Sequence, residues 1–132
     1  MFLFQMHVDD GALIAALLVQ EIECGVDEVT VLNARLLARE AVRKALCSRS
    51  FRVVTIREVL SVESGVEVVA DLRVKTLRLT SVADWAVWEP HLRVLLQKGW
   101  VERLEFTSCA KLSIGVMQAL RCAVGVKSLG LF

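Results

Sequence analysis

Residues able to do covalent or acid–base chemistry are scattered along this chain. Ser61, Ser64 and Ser113 fall in turn-like or helix-start surroundings, where serine serves as a cap. A serine nucleophile on a G-x-S-x-G elbow and a phosphate-binding glycine loop ending in Gly-Lys-Ser/Thr both require short motifs that the sequence lacks. Cys24, Cys47, Cys109 and Cys122 form no Cys-x-x-Cys pair, and neither His7 nor His91 lies near a cysteine, so zinc-type spacing is missing. The expectation is a protein that is not an enzyme and uses no cofactor or metal, with His7 and His91 at the surface.

A second chemistry is better organised. Glu28, Arg57, Arg78, Arg103 and Glu105 stand at alternate positions within short apolar segments such as Val-Thr-Val, Val-Thr-Ile, Leu-Arg-Leu and Leu-Glu-Phe. Alternation with period two places charged residues on one face of a strand and apolar residues on the other. Arginine is a frequent anchor in protein interfaces, so these five residues are the candidate partner-binding set. If Arg57, Arg78 and Arg103 lie on adjacent strands they are spaced by about 5 Å, and Glu105 can pair with Arg78 or Arg103. Leu32, Val53 and Phe132 are expected to add apolar contact on the same face. The bland alternative is a solvated face whose ion pairs contribute at most about 1 kcal/mol each.

The elements that must position these residues follow from an internal repeat. The pattern apolar-x-x-apolar-x-apolar occurs at Met1, Phe4, Met6, at Val26, Val29, Val31, and at Phe51, Val54, Ile56. It recurs at Val74, Leu77, Leu79, at Val101, Leu104, Phe106, and at Val126, Leu129, Leu131. Successive starts are 25, 25, 23, 27 and 25 residues apart. Gly25, Gly99 and Gly125 fall just before repeat starts, where a helix ending in the left-handed conformation would need glycine. Between the strand segments the apolar spacing turns helical. The expected inward residues are Ala12, Leu13, Ala16, Leu17 and Leu18, then Leu36, Leu37, Ala41, Val42, Ala45 and Leu46. A fourth helix is expected from near Pro90 with Leu92, Leu95 and Leu96 inward, and a fifth with Leu112, Val116, Met117 and Leu120. Val66 to Leu72 leaves room for about two turns.

These units, 1–25, 26–50, 51–73, 74–100, 101–125 and a partial 126–132, make one domain of strand–helix coils stacked on one another. The segment from Val101 to Leu112, VERLEFTSCAKL, resembles the leucine-rich-repeat pattern L-x-x-L-x-L-x-x-N/C-x-L. Its continuation, Ser113 to Leu120, resembles the helical part of the ribonuclease-inhibitor-like and cysteine-containing subclasses. The resemblance implies an α/β leucine-rich-repeat solenoid with parallel strands on the concave side and helices on the convex side. It also implies binding of a partner protein on the concave sheet. In that family an Asn or Cys after the strand bonds backbone between coils; here the column reads Asp9, Ala34, Val59, Val82 and Cys109, and Cys109 fits best.

Composition agrees with a folded binding domain. The chain has 132 residues, is 55% hydrophobic and carries a net charge of +1, with no basic run to recruit nucleic acid or an acidic membrane. The apolar stretch from Ala12 to Val19, closed by Asp10 and Glu21, is far shorter than the about 20 residues of a spanning helix. The start lacks the basic region of a signal peptide. Cys47 and Cys122 occupy equivalent places three coils apart, too far for a disulfide, so reduced thiols and an intracellular, cytoplasmic setting are expected. Trp85 and Trp88 either pack beneath the convex side or form an aromatic patch. Neither end carries a polar cap; a longer solenoid or a homodimer closing on its C-terminal edges is expected, and self-assembly through the ends is the alternative function.

Overall fold

The computed structural model describes residues 10–57 and 65–132. The first expected strand, Met1 to Met6, lies outside these residues, as do His7, Asp9, Val59, Ser61 and Ser64. Among the described residues the strands are β1 (Glu28–Val31), β2 (Ser50–Ile56), β3 (Arg73–Thr80), β4 (Arg103–Thr107) and β5 (Ser128–Leu131). They form one parallel sheet in the order β1-β2-β3-β4-β5, so each crossover returns the chain beside the strand it has just left.

The register is the one the apolar columns require. Val29, Val54, Leu77, Leu104 and Leu129 are level across the sheet, and so are Val31, Ile56, Leu79, Phe106 and Leu131. Val29, Val54, Leu77 and Leu104 are buried, whereas Thr30 and Arg78, beside them in the chain, are exposed. Two residues, not one, separate the first apolar position from the second, and at two strand entries one carbonyl serves two successive amides. The Asp27 carbonyl accepts from both Arg52 N and Val53 N, and the Glu102 carbonyl accepts from both Lys127 N and Ser128 N.

The crossovers are α1 (Asp10–Glu23), a 3₁₀ helix (Ala34–Ala38) followed by α2 (Glu40–Cys47), a second 3₁₀ helix (Val66–Asp71), α3 (Trp85–Gln97) and α4 (Ile114–Arg121). They stack in chain order as the strands do, α1 on α2, α2 on the second 3₁₀ helix, that helix on α3, and α3 on α4. The second unit is split at Arg39, whose extended backbone (φ −80°, ψ 126°) ends the 3₁₀ helix and caps α2. The short third unit holds a two-turn 3₁₀ helix, as its length demands.

Helix α3 starts at Trp85 rather than near Pro90. Asp84 is extended, and its side chain accepts from Ala86 N at 2.9 Å, a strong N-cap. Pro90 therefore lies inside the helix and leaves the Ala86 carbonyl without its usual i+4 donor. The earlier start carries Trp85 and Trp88 inward with Leu92, Leu95 and Leu96. Trp85 Nε1 donates to the Ala110 carbonyl at 2.9 Å, and its ring meets Phe106 edge-on at 4.9 Å. Both tryptophans are thus core residues, and Trp100 is half exposed at 49%.

Three helix faces differ from expectation, and in α2 the departure is Ala41, which is exposed. In α1 the buried side chains are Ala15, Leu18 and Ile22, whereas Leu13 and Leu17 are exposed. In α4 they are Val116 and Ala119, and Met117 is exposed. Gly25 and Gly99 take the expected left-handed conformation, with φ of +92° and +78°. Gly125 does not; a Cβ there would lie 2.5 Å from the Gly99 carbonyl oxygen, so close backbone approach is what demands glycine.

A recurring contact ties the units together. Arg49 donates to the carbonyls of Ile22 (3.3 Å) and Val26 and lies over the Phe51 ring at 5.1 Å. Arg73 donates to the Cys47 carbonyl at 3.3 Å, and Lys98 to the Ala70 carbonyl. Each cation reaches back to a carbonyl at or near the end of the preceding unit's helix, and Arg49 also takes the Val26 carbonyl at the start of its own unit; unsatisfied acceptors at helix ends favour positive charge.

Candidate functional site

The sheet has one face under the helices; among the described residues no strand or helix covers the other. On that open face the residues between the buried columns form rows. One row runs Glu28, Val53, Thr76, Arg103, Ser128, and the next Thr30, Thr55, Arg78, Glu105, Gly130. Thr80 and Thr107 belong to the third row. Arg57 follows Ile56, which is level with Leu79, and so Arg57 joins that third row. The three arginines therefore run diagonally across the sheet rather than side by side. Arg57 and Arg78 are one strand and two residues apart, about 8 Å between backbones.

Arg78, Arg103 and Glu105 come together. Glu105 Oε2 accepts from Arg103 Nε at 2.9 Å and is paired with Arg78 Nε at 3.3 Å. One carboxylate oxygen thus engages both guanidinium groups. Arg103 also donates through its terminal nitrogen to Ser128 Oγ. The Glu105 side chain is only 16% exposed, and the arginines beside it remain 45% and 40% exposed. The hydrogen bond from Arg103, and after it that from Arg78, holds the Glu105 carboxyl below the usual glutamate range against the opposing effect of partial burial.

The other two candidates stand apart. Glu28 is paired with Arg52 at 2.7 Å, three strands away from Arg103 in the same row. Arg57 is exposed, and among the described residues its guanidinium makes no ion pair. Leu32 and Phe132 are exposed at 49% and 68%, as expected for apolar contact points. Val53 is not; it is buried at 4%, level with Glu28 and Thr76 on the neighbouring strands. Arg52 escaped the sequence reading, whereas Ser128 follows Arg103 in the same outward column of the repeat, as its spacing predicts. Arg52 became visible only when the register showed which neighbouring strand it faced.

The remaining polar groups have structural work. Cys109 Sγ accepts from Val82 N at 3.4 Å and lies 3.6 Å from the Leu79 carbonyl, bridging successive units through backbone. Ser113 caps α4 by accepting from Val116 N at 3.2 Å. All four cysteines are free, and burial pushes the Cys47 thiol up, away from thiolate reactivity. His91 is half-buried on α3. Among the described residues no group of His, Cys, Asp or Glu is placed to hold a metal, and no helix is long and apolar enough to cross a membrane.

A different feature marks the β5 end. An open apolar groove of about 460 Å³ is lined by Phe106, Cys109, Leu112, Met117, Leu131 and Phe132. Leu129 and Leu131 beside it are exposed at 44% and 61%. Comparison with protein-family models, with curated proteins and with solved structures finds no match.

Proposed function

We propose that this chain is a leucine-rich-repeat-type solenoid that binds a partner protein through the open face of its sheet. The observation that carries this reading is the uncovered face itself. Parallel sheets are normally covered on both sides, and here, among the described residues, one side presents Thr30, Thr55, Arg57, Arg78 and Leu32 instead of a second helical layer. The stacking of each unit on the next in both layers, and the Cys109 bridge, favour the solenoid. Free thiols suit an intracellular setting.

The test is hydrogen exchange on the complex with a captured partner, paired with variants of each side. Protection should fall on β2, β3 and β4, and Arg78→Ala with Arg103→Ala should weaken binding. Lys44→Ala with Arg121→Ala, on the helical side, should not. Binding lost only in the second pair would move the site to the helices.

A second reading, self-association through the β5 edge, is favoured by the exposed Leu129, Leu131 and Phe132 beside the apolar groove. Sedimentation across a wide concentration range separates the two, since only self-association makes the mass rise with concentration.

A further inference from the structure

We infer that Arg78, Glu105 and Arg103 form a preorganised carboxylate receptor, in which Glu105 positions two guanidinium groups for an acidic segment of the partner protein. This rests on the open-face reading above and names the chemistry of the ligand.

The geometry lies in which arginine atoms are occupied. Glu105 takes both arginines through Nε, at 2.9 Å and 3.3 Å. Arg103 gives one terminal nitrogen to Ser128. Among the described residues the terminal nitrogens of Arg78 have no protein acceptor, and neither does the second one of Arg103. Guanidinium groups have five N–H donors in a rigid fork, so several remain open on two side chains that are still 40–45% exposed. The freedom these long side chains would lose on binding is already restricted by Glu105, and a receptor ordered in advance holds its ligand more tightly.

Charge selects the ligand. Two arginines around one carboxylate leave the cluster at +1, and Glu28 adds no repulsion nearby because Arg52 takes it. Arg57, about 8 Å from Arg78 along the diagonal, supplies a second positive point. An extended peptide presents alternate side chains about 7 Å apart, so two acidic residues separated by one other span this distance. A carboxylate brings the +1 cluster to neutrality, whereas a phosphate dianion would carry it to a net negative charge.

The probe is a short peptide with glutamate at alternate positions, compared with its glutamine and phosphoserine counterparts. Binding is followed by nuclear magnetic resonance of backbone amides and arginine Nε–H groups. The glutamate peptide should shift Arg78, Arg103, Thr80 and Thr107 saturably, and added salt should weaken it. Arg78→Ala should reduce affinity by about tenfold. Glu105→Gln is the decisive variant. It makes the face more positive, so mere attraction predicts tighter binding, whereas loss of positioning predicts severalfold weaker binding. Tighter binding to Glu105→Gln, equal shifts from the glutamine peptide, no shifts from any peptide, or strong preference for phosphoserine would each overturn the inference. None of these outcomes touches the exchange footprint of the captured partner or the helical-side variants, which decide whether a partner uses this face.

Discussion

Leu77→Ala probes the register where the sheet is most constrained. Leu77 is fully buried in β3, level with Val54 on one side and Leu104 on the other, both also fully buried. Truncation to Ala removes three carbons, and at about 0.8 kcal/mol each the lost transfer energy is about 2.4 kcal/mol. Hydrogen-bonded strands on both sides keep the hole from closing, and the cavity brings the total to about 3–4 kcal/mol. Against a typical domain stability of about 5–15 kcal/mol, the variant still folds but with a clearly lowered urea midpoint. Leu129 belongs to the same column, yet it is 44% exposed and, among the described residues, flanked on one side alone, by Leu104, so Leu129→Ala should cost about 1 kcal/mol or less. The buried Trp85 and Trp88 give a fluorescence signal for unfolding. Equal losses in the two variants, or a loss at Leu77 under about 1 kcal/mol, would refute the assigned column and its gradient of burial.

Arg49→Ala should destabilise by about 1–2 kcal/mol in the same titration, because the carbonyls of Ile22 and Val26 lose a charged donor. Asp84→Ala removes the cap that sets the start of α3 and should cost about 1 kcal/mol; an unchanged midpoint would mean the tryptophans alone define that helix. Glu105 gives a pH signature. Its folded carboxyl is held below the ordinary range, so the stabilisation is present in full above the ordinary glutamate pKa and disappears as pH falls through the depressed folded value. The stability gap between wild type and Glu105→Gln should therefore close only on acidification, and a gap that widens there would contradict the sign.

The strand columns were legible because a period-two rule is local: Val54 and Thr55 cannot both face the core, and a one-residue slip exchanges them. Once the repeat start was found, each middle apolar residue was assigned correctly from Val29 to Leu129. Val53 was missed because its own strand says only that it faces outward. Its burial is a property of the assembled sheet, in which it lies level with Glu28 and Thr76, 25 and 23 residues away. The candidate site divided for the same reason. Sequence order placed five charged residues on one face, but only register could show that Glu105 joins Arg78 to Arg103 while Glu28 turns to Arg52.

The helical layer was harder to read because a stripe of apolar residues does not say which part of it finds a neighbour. Leu13 and Leu17 in α1 look like core residues and are exposed, while the small Ala15 is buried beside Leu18 and Ile22. The contacts joining successive units also hide their repetition. Arg49, Arg73 and Lys98 reach back to carbonyls of the preceding unit from just before β2, from the first residue of β3 and from the end of α3. Their common property is reach, since a long cationic chain can satisfy a helix-end carbonyl from several neighbouring backbone positions. Strand positions tolerate no such latitude, because their hydrogen bonds and faces are set by backbone alone. This difference explains how the unit spacing varies between 23 and 27 residues while the sheet keeps its register. Length changes are absorbed in the crossovers, where α3 replaces a two-turn 3₁₀ helix, and the open face that carries Arg78, Arg103 and Glu105 is left undistorted.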